Sequence, residues 1–482
     1  MINLTIDKQR IAVAENTTIF RAAKQAGIEI PHLCEFEALT SHGGCRMCVV
    51  EVEGINTLQT SCTYPAQEGM VVHTDTPKVR EARRFVLSLI FSERNHFCMY
   101  CPKTSSTCEL QAAAYQVDMD HWDVHPNWDV YPLDTSHPYM TWDHNRCILC
   151  QRCVRACEEL AGQHVLVPEH RGAAMTLTTD YGLPWGESSC VNCGTCLQVC
   201  PTGAILEKRN PMMDFARALE GEPGVCVECG LGCQTMVYSL HNQLVRISGD
   251  WEGAVNHGVL CEKGRFTAVA NLSQTRVKQP LMRMDGRLEP VSWQEALTVL
   301  QEQMAGKPAA AVISARYSGE VLQRFQQVFN EWGCQIVTSS EWSADGYDEV
   351  LSVAHDPRLA VVEPEMFGKR GKANSAAARK IGLTDPLTVD GGAVIVMLGD
   401  DPDHEAMAAA CRQAEYTVVQ SAYLYDWLEE VDVVLPAPTW LEEGGTYVNL
   451  MGREQTRQAH LQAPEGVLSS VAMLALLEEM TV

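Results

Sequence analysis

Apolar and polar residues alternate over residues 2–6 and 10–13, on either side of Asp7-Lys8, and predict two short strands joined by a tight turn. Thr17 and Thr18 follow as caps for a helix that Gly27 ends. From Pro77 to Glu93 the apolar positions recur at helical spacing, with arginines gathered on one face. Residues 117–140, rich in Asp, His, Trp, Tyr and Pro, show no period. They predict an ordered connector whose aromatic side chains pack on neighbouring segments. Ser292 and Glu295 form a capping box for one more helix. Beyond residue 305, Ala309–Ser314, Gln335–Ser339, Ala393–Leu398, Tyr416–Gln420 and Val431–Leu435 read as strands with helices between them. That alternation predicts α/β structure with a mostly parallel sheet. The strand end at Gly399-Asp400-Asp401 is not a GxGxxG, so it gives no support for dinucleotide binding.

The pattern extends over 482 residues, too many for one core, and three or four domains are expected. A hydrophobic content of 46% and a charged content of 20% are ordinary for globular protein and argue against disorder. The net charge of −24 makes nucleic acid an unsuitable partner. No apolar run is long enough for a direct membrane span. The start at Met1-Ile2-Asn3-Leu4 has neither a basic n-region nor an apolar h-region, so a cytoplasmic location is expected. Thiols stay reduced there, and closely spaced cysteines read as metal sites rather than disulfides.

Cysteine changes the picture most. Of the 21 cysteines, all but Cys334 and Cys411 fall into five clusters that end by residue 261, and those two read as buried structural thiols. The clusters are Cys34, Cys45, Cys48 and Cys62; Cys98, Cys101 and Cys108, with His96 just before them; Cys147, Cys150, Cys153 and Cys157; Cys190, Cys193, Cys196 and Cys200; and Cys226, Cys229, Cys233 and Cys261. With His96 included, the ligands fill five sites of four. Thiolates, and occasionally imidazole, held on compact loops are what iron–sulfur clusters require. A structural zinc site is the rival reading for the first and fifth groups. Zinc loops usually pair one CxxC with another, and each of these groups has one such pair. A bystander loop histidine is the rival reading for His96.

The spacing C-x10-C-x2-C-x13-C after a strand pair and a helix resembles the β-grasp [2Fe–2S] domain that opens the large iron–sulfur subunit of respiratory complex I and its hydrogenase relatives. His96-x-Cys98-x2-Cys101-x6-Cys108-Glu-Leu-Gln is similar to that family's [4Fe–4S] site with one histidine and three cysteines. Its short histidine–cysteine spacing looks more like the diaphorase subunits of NAD-reducing hydrogenases and related formate dehydrogenases. The repeated C-x2-C-x2-C-x3-C resembles a bacterial two-cluster ferredoxin, in which each run lends its fourth cysteine to the other cluster. That resemblance implies [4Fe–4S] sites made of Cys147, Cys150, Cys153 and Cys200 and of Cys157, Cys190, Cys193 and Cys196. The flanks Trp142-Asp143-His144-Asn145-Arg146 and Pro184-Trp185-Gly186 again resemble the hydrogenase diaphorase subunit. Cys226-x2-Cys229-x3-Cys233 with Cys261-Glu-Lys263-Gly-Arg is similar to the [4Fe–4S] domain of molybdopterin oxidoreductases, where a lysine matching Lys263 bridges from cluster to pterin.

The resemblance implies an α+β multidomain chain. Its parts are a [2Fe–2S] β-grasp (1–77), a histidine-plus-three-cysteine [4Fe–4S] domain (78–118), a connector (119–140), a two-[4Fe–4S] ferredoxin domain (141–210), a molybdopterin-type [4Fe–4S] domain (219–272) and a truncated α/β molybdopterin-oxidoreductase-like domain (273–482). One [2Fe–2S] and four [4Fe–4S] clusters are expected, with no molybdopterin and no catalytic residue of the chain's own. The expected role is an electron-transfer subunit of an NAD(P)(H)-linked oxidoreductase. Its implied partners are a flavin- and NAD(P)H-binding subunit, a small thioredoxin-like [2Fe–2S] subunit and a catalytic hydrogenase. Formate dehydrogenase and a complex I-like NADH:quinone oxidoreductase are the alternatives.

Overall fold

The computed structural model describes residues 1–101, 103, 107–208, 219–304, 307–339, 375–381, 383, 392–399, 404–449 and 451–480. Contacts divide the chain into two compact units, Met1–Leu219 and Glu220–Val482.

In the first unit, β1 (Ile2–Ile6) and β2 (Gln9–Val13) pair antiparallel. Asp7 and Lys8 at the turn both have positive φ, 44° and 71°, the mirror-image turn that matches strand twist. Helix α1 (Ile19–Gln25) begins where Thr18 Oγ1 accepts from Arg21 N–H. It ends in a Schellman pair, with Gly27 N–H on Lys24 O and Ile28 N–H on Ala23 O. With β3 (Val49–Val52), β4 (Gln59–Thr60) and β5 (Val71–His73), the sheet order is β2-β1-β5-β3-β4. Leu4, Ile6, Ile19, Ala22, Ala23, Val50 and Val72 form the core under α1.

Helix α2 (Pro77–Glu93) starts on the Thr76 cap and runs over the bounds its period predicts. Its arginines do not share one solvent face. Arg83 is buried and donates to Met47 O (3.0 Å) and Val49 O (2.9 Å), because those carbonyls have no ladder partner there. Helix α3 (Glu109–Gln116) packs beside α2 through Leu110, Ala113 and Ala114. In the connector, Trp122 stacks on Phe91 at 5.4 Å, and Trp128 Nε1 donates to Phe91 O. Next come β6 (Leu133–Asp134) and β7 (Met140–Asp143), with the short helices α4 (Arg152–Arg155) and α5 (Thr195–Val199).

In the second unit, a three-stranded antiparallel sheet, Glu222–Val225, Gln234–Leu240 and Gln243–Gly249, carries the fifth cysteine group. A seven-stranded sheet follows. Its parallel part pairs Gln335–Ser339, Ala309–Ser314, Ala393–Gly399, Tyr416–Ser421 and Val433–Pro436, and the hairpin Leu281–Met284 and Arg287–Pro290 closes one edge. The capping box forms, with Ser292 N–H on Glu295 Oε2 and Glu295 N–H on Ser292 Oγ. The last strand begins at Val433, not Val431. The Asp432 carboxylate accepts from Thr417 N–H and Oγ1, which replaces ladder pairing at that point. Asp400 and Asp401 lie outside the described residues. Cys411 is buried as expected, whereas Cys334 is half-buried at the edge of the core.

Candidate iron–sulfur sites

The first group sits where the loop after α1 meets the β3–β4 hairpin, so Cys48 just before β3 and Cys62 just after β4 arrive together. Cys34 N–H points at Cys45 Sγ (3.3 Å) and Cys45 N–H at Cys34 Sγ (3.5 Å). Hydrogen bonding among the four thiols pulls Cys34 and Cys48 down, Cys48 to about 7, and pushes Cys45 and Cys62 up. Four thiols in mutual contact, two already biased towards thiolate, suit a cationic centre.

His96, Cys98, Cys101 and Cys108 line one cavity of about 330 Å³, walled by Phe91, Trp122 and Trp128. His96 Nε2 is buried with no hydrogen-bond partner. Burial, with Arg146 and Arg94 nearby, holds its pKa down to about 3, so the ring is neutral with a free lone pair. Cys108 is the N-cap of α3, and burial pushes its thiol up to about 11. Gly203 is required here, because a Cβ would stand 2.6 Å from Cys101 Sγ.

The two ferredoxin-type runs fold alike. Leu149 and Gln151 in the first, and Asn192 and Gly194 in the second, take positive φ at matching places between the cysteines. Non-glycine residues adopt that conformation only when the surroundings enforce it. Cys147, Cys150, Cys153 and Cys200 line a common pocket. Their thiols repel one another, and burial lifts Cys147 to about 11, Cys150 to about 12 and Cys153 well above its ordinary value. Cys157, Cys190, Cys193 and Cys196 interact in the same way, with burial lifting Cys157 to about 11 and Cys190 to about 12. The fourth cysteine of each run thus stands with the other run.

In the second unit, Cys226, Cys229, Cys233 and Cys261 are all buried. Burial drives Cys226 well up and Cys261 to about 12. Lys263 is half-buried, its pKa lowered by burial, with Glu228 and Arg316 close by. Glu228 pairs with Arg316 at 2.9 Å, and Arg316 Nε donates to Val227 O.

Among the described residues, no three His, Cys, Asp or Glu side chains are placed to grip a single metal ion. The donor sets themselves fit multi-iron cages. Buried neutral thiols at pKa values near 11 or 12 ionise only when a cationic centre replaces their protons.

Some supporting residues carry no sequence motif. Arg155 donates to Cys34 O (2.5 Å) and to Thr40 O, while Glu159 accepts from Thr40 N–H (2.7 Å) and Oγ1 (2.6 Å). Only their placement beside Cys157 could have drawn attention to them.

Comparison with known proteins places iron–sulfur domains along the same stretches of chain. The chain matches family models for a 2Fe-2S iron-sulfur cluster binding domain (1–77), the NADH-ubiquinone oxidoreductase-G iron-sulfur binding region (83–122) and the NADH-quinone oxidoreductase subunit 3 ferredoxin-like domain (137–206). It also matches the molybdopterin oxidoreductase Fe4S4 domain (222–269) and molybdopterin oxidoreductase (276–412 and 369–477). It is 37% identical over 358 residues to the G 2 subunit of NADH-quinone oxidoreductase from Rhizobium meliloti, covering 71% of this chain and 41% of that one. It is 29% identical over 427 residues to the alpha subunit of NADPH-Fe(3+) oxidoreductase from Geobacter sulfurreducens, covering 88% of this chain and 47% of that one. A crystal structure of NAD+-reducing [NiFe]-hydrogenase aligns with TM-score 0.40 and 37% identity over 43% of this chain and 87% of that one. The chain spans a little under half the length of these two curated relatives.

The matches define a multidomain iron–sulfur protein of the oxidoreductase class. Its domains are those of the large iron–sulfur subunit family that includes the G subunits of NADH-quinone oxidoreductases, continued by a molybdopterin-oxidoreductase region. No helix among the described residues is long and apolar enough to cross a membrane.

Proposed function

We propose that the chain relays electrons within an NAD(P)(H)-linked oxidoreductase, between a flavin- and NAD(P)H-binding subunit and a catalytic partner. The observation that carries this reading is the grouping of twenty donors in fours. Cys34, Cys45, Cys48 and Cys62 hold a [2Fe–2S] cluster. Four [4Fe–4S] clusters follow, on His96 with Cys98, Cys101 and Cys108; on Cys147, Cys150, Cys153 and Cys200; on Cys157, Cys190, Cys193 and Cys196; and on Cys226, Cys229, Cys233 and Cys261. Bound clusters supply one-electron redox chemistry, and the protein fixes their spacing, burial and hydrogen bonding. No residue is assigned to catalysis.

A hydrogenase is the preferred catalytic partner, on the strength of the His96-x-Cys98 spacing and the Trp142–Arg146 and Pro184–Gly186 flanks. A complex I-like NADH:quinone oxidoreductase is supported by the similarity to the G subunits of those enzymes, and a formate dehydrogenase is a further alternative. Either setting supplies a small thioredoxin-like [2Fe–2S] subunit as neighbour. Residues 273–482 are read as a cover for the fifth site rather than a pterin site.

The test is metal analysis of anaerobically purified chain. About 18 irons per chain are expected from these cluster types. Half that iron, stoichiometric zinc, or a pterin dinucleotide in the denatured protein would each refute the corresponding part.

A further inference from the structure

The imidazole of His137 is fully buried and points both its nitrogens at defined partners. Nδ1 accepts from two backbone donors, Tyr139 N–H and Met140 N–H, each at 3.1 Å. An acceptor of two N–H groups cannot itself carry a proton, so the ring hydrogen sits on Nε2. Nε2 stands 3.8 Å from Cys190 Sγ, and the Asn192 side chain hydrogen-bonds the same ring. The N–H therefore lies between an amide and a thiol.

Trp185 joins this arrangement. Its ring packs on His137 at 4.6 Å and on Trp142 at 5.3 Å. Its indole Nε1 is buried and has no hydrogen-bond partner among the described residues, an N–H left over for a charged sulfur at Cys190, the thiol on which Trp185 acts. Both donors are held rigidly. Trp185 N–H donates to Asp134 Oδ2 (2.9 Å), and Gly186 N–H donates to Ser136 Oγ (2.8 Å). Gly186 passes so close that a Cβ would stand 2.4 Å from Ser136 O, so the two loops close only around glycine.

From this geometry we infer that His137 and Trp185 are positioning residues that set the reduction potential of the cluster held by Cys157, Cys190, Cys193 and Cys196, by donating N–H to the Cys190 sulfur. Reduction adds negative charge to the cluster and its thiolates, and a donor aimed at one sulfur stabilises that extra charge. The donor raises the potential of this cluster above the value it would have without it. The Pro184-Trp185-Gly186 segment thus acquires a role beside the cysteines it precedes.

The inference rests on the five-cluster reading, and the experiment separates the two. In anaerobically purified full chain, redox-titrated EPR of His137→Phe and Trp185→Phe should retain every cluster signal and move one [4Fe–4S] midpoint downward. His137→Gln, which keeps an N–H donor, should recover much of that shift. Missing tetranuclear signals in the wild type would refute the cluster reading itself. Full iron content with every midpoint unmoved would overturn the inference alone. If the substitutions cost iron, ENDOR of the wild type decides: an exchangeable proton coupled to this cluster, lost in D2O, supports the donor. The absence of such a proton overturns it.

Discussion

Glu109 and Arg152 form a two-pronged ion pair, with Nη1 on Oε1 at 2.7 Å and Nη2 on Oε2 at 2.8 Å. Glu109 directly follows Cys108, and Arg152 lies between Cys150 and Cys153. Glu109 N–H also donates to Pro201 O, one residue beyond Cys200. One residue at the head of α3 therefore grips both strands of chain that form the neighbouring cysteine site. The pair fixes the spacing of two adjacent cysteine groups.

Removing the carboxylate should loosen that spacing. Glu109→Ala leaves the Arg152 guanidinium, 1% exposed, without its counter-charge. The cost should be roughly 1–2 kcal/mol, at the low end for a buried pair because Glu109 itself is 42% exposed. Cluster absorbance followed on heating should bleach several degrees earlier than in the wild type. An unchanged profile would show that the pair is ornamental.

His96→Cys should keep a cluster and lower its potential. The imidazole is neutral, and its buried Nε2 has no hydrogen-bond partner among the described residues in the cavity that Cys98, Cys101 and Cys108 also line. A thiolate in its place adds one negative charge and favours the oxidised state. Redox-titrated EPR reads the shift. Every signal at its wild-type midpoint would make His96 a bystander.

The sequence revealed what is local and hid what is distant. The turn at Asp7-Lys8, the Thr18 cap, the limits of α2 and the Ser292–Glu295 box are written in neighbouring residues, and the structure repeats them. The cysteine spacings are equally local. Arg83 escaped because its acceptors, Met47 O and Val49 O, lie more than thirty positions away and are backbone atoms, which leave no trace in side-chain pattern. The start at Val433 escaped for a related reason. Asp432 turns its carboxylate onto Thr417, a contact between strands that hydropathy alone does not display.

Stripping the clusters should make stability sensitive to alkali. Burial raises the thiols of Cys108, Cys147 and Cys157 to about 11 and those of Cys150, Cys190 and Cys261 to about 12, from an ordinary 9.0. The folded apo chain then holds protons that the unfolded chain releases. This stability is complete below pH 9 and is lost as pH rises through 11 to 12, at about 1.4 kcal/mol per pH unit for each such thiol. In the loaded chain the metal has displaced those protons, and the same dependence should be absent. Denaturant midpoints of apo and loaded chain from pH 8 to 11 test this. Parallel curves would contradict it.

Arg155 should protect the [2Fe–2S] site from the far side of the ferredoxin region. It stands between Cys153 and Cys157, which lie in different cysteine groups, and its guanidinium donates to Cys34 O and Thr40 O. Glu159, two residues past Cys157, accepts from Thr40 N–H and Oγ1. The loop that carries Cys34 is thus pinned by two side chains of opposite charge, four residues apart on one helical segment. Hydrogen bonds that involve a charged group contribute about 1.5–3 kcal/mol. Replacing Arg155 with Met keeps the apolar stem and removes the donors, so local opening of the loop should become roughly ten- to a hundredfold more frequent, on the scale of 1.4 kcal/mol per tenfold. The consequence is selective. On controlled exposure to air, the binuclear EPR signal of Arg155→Met should decay faster than in the wild type, while the tetranuclear signals decay at their usual rates. Glu159→Gln, which keeps an acceptor oxygen but loses the charge, should fall between. Equal decay of all signals would mean that the guanidinium supports the ferredoxin helix as a whole and gives the Cys34 loop no particular protection.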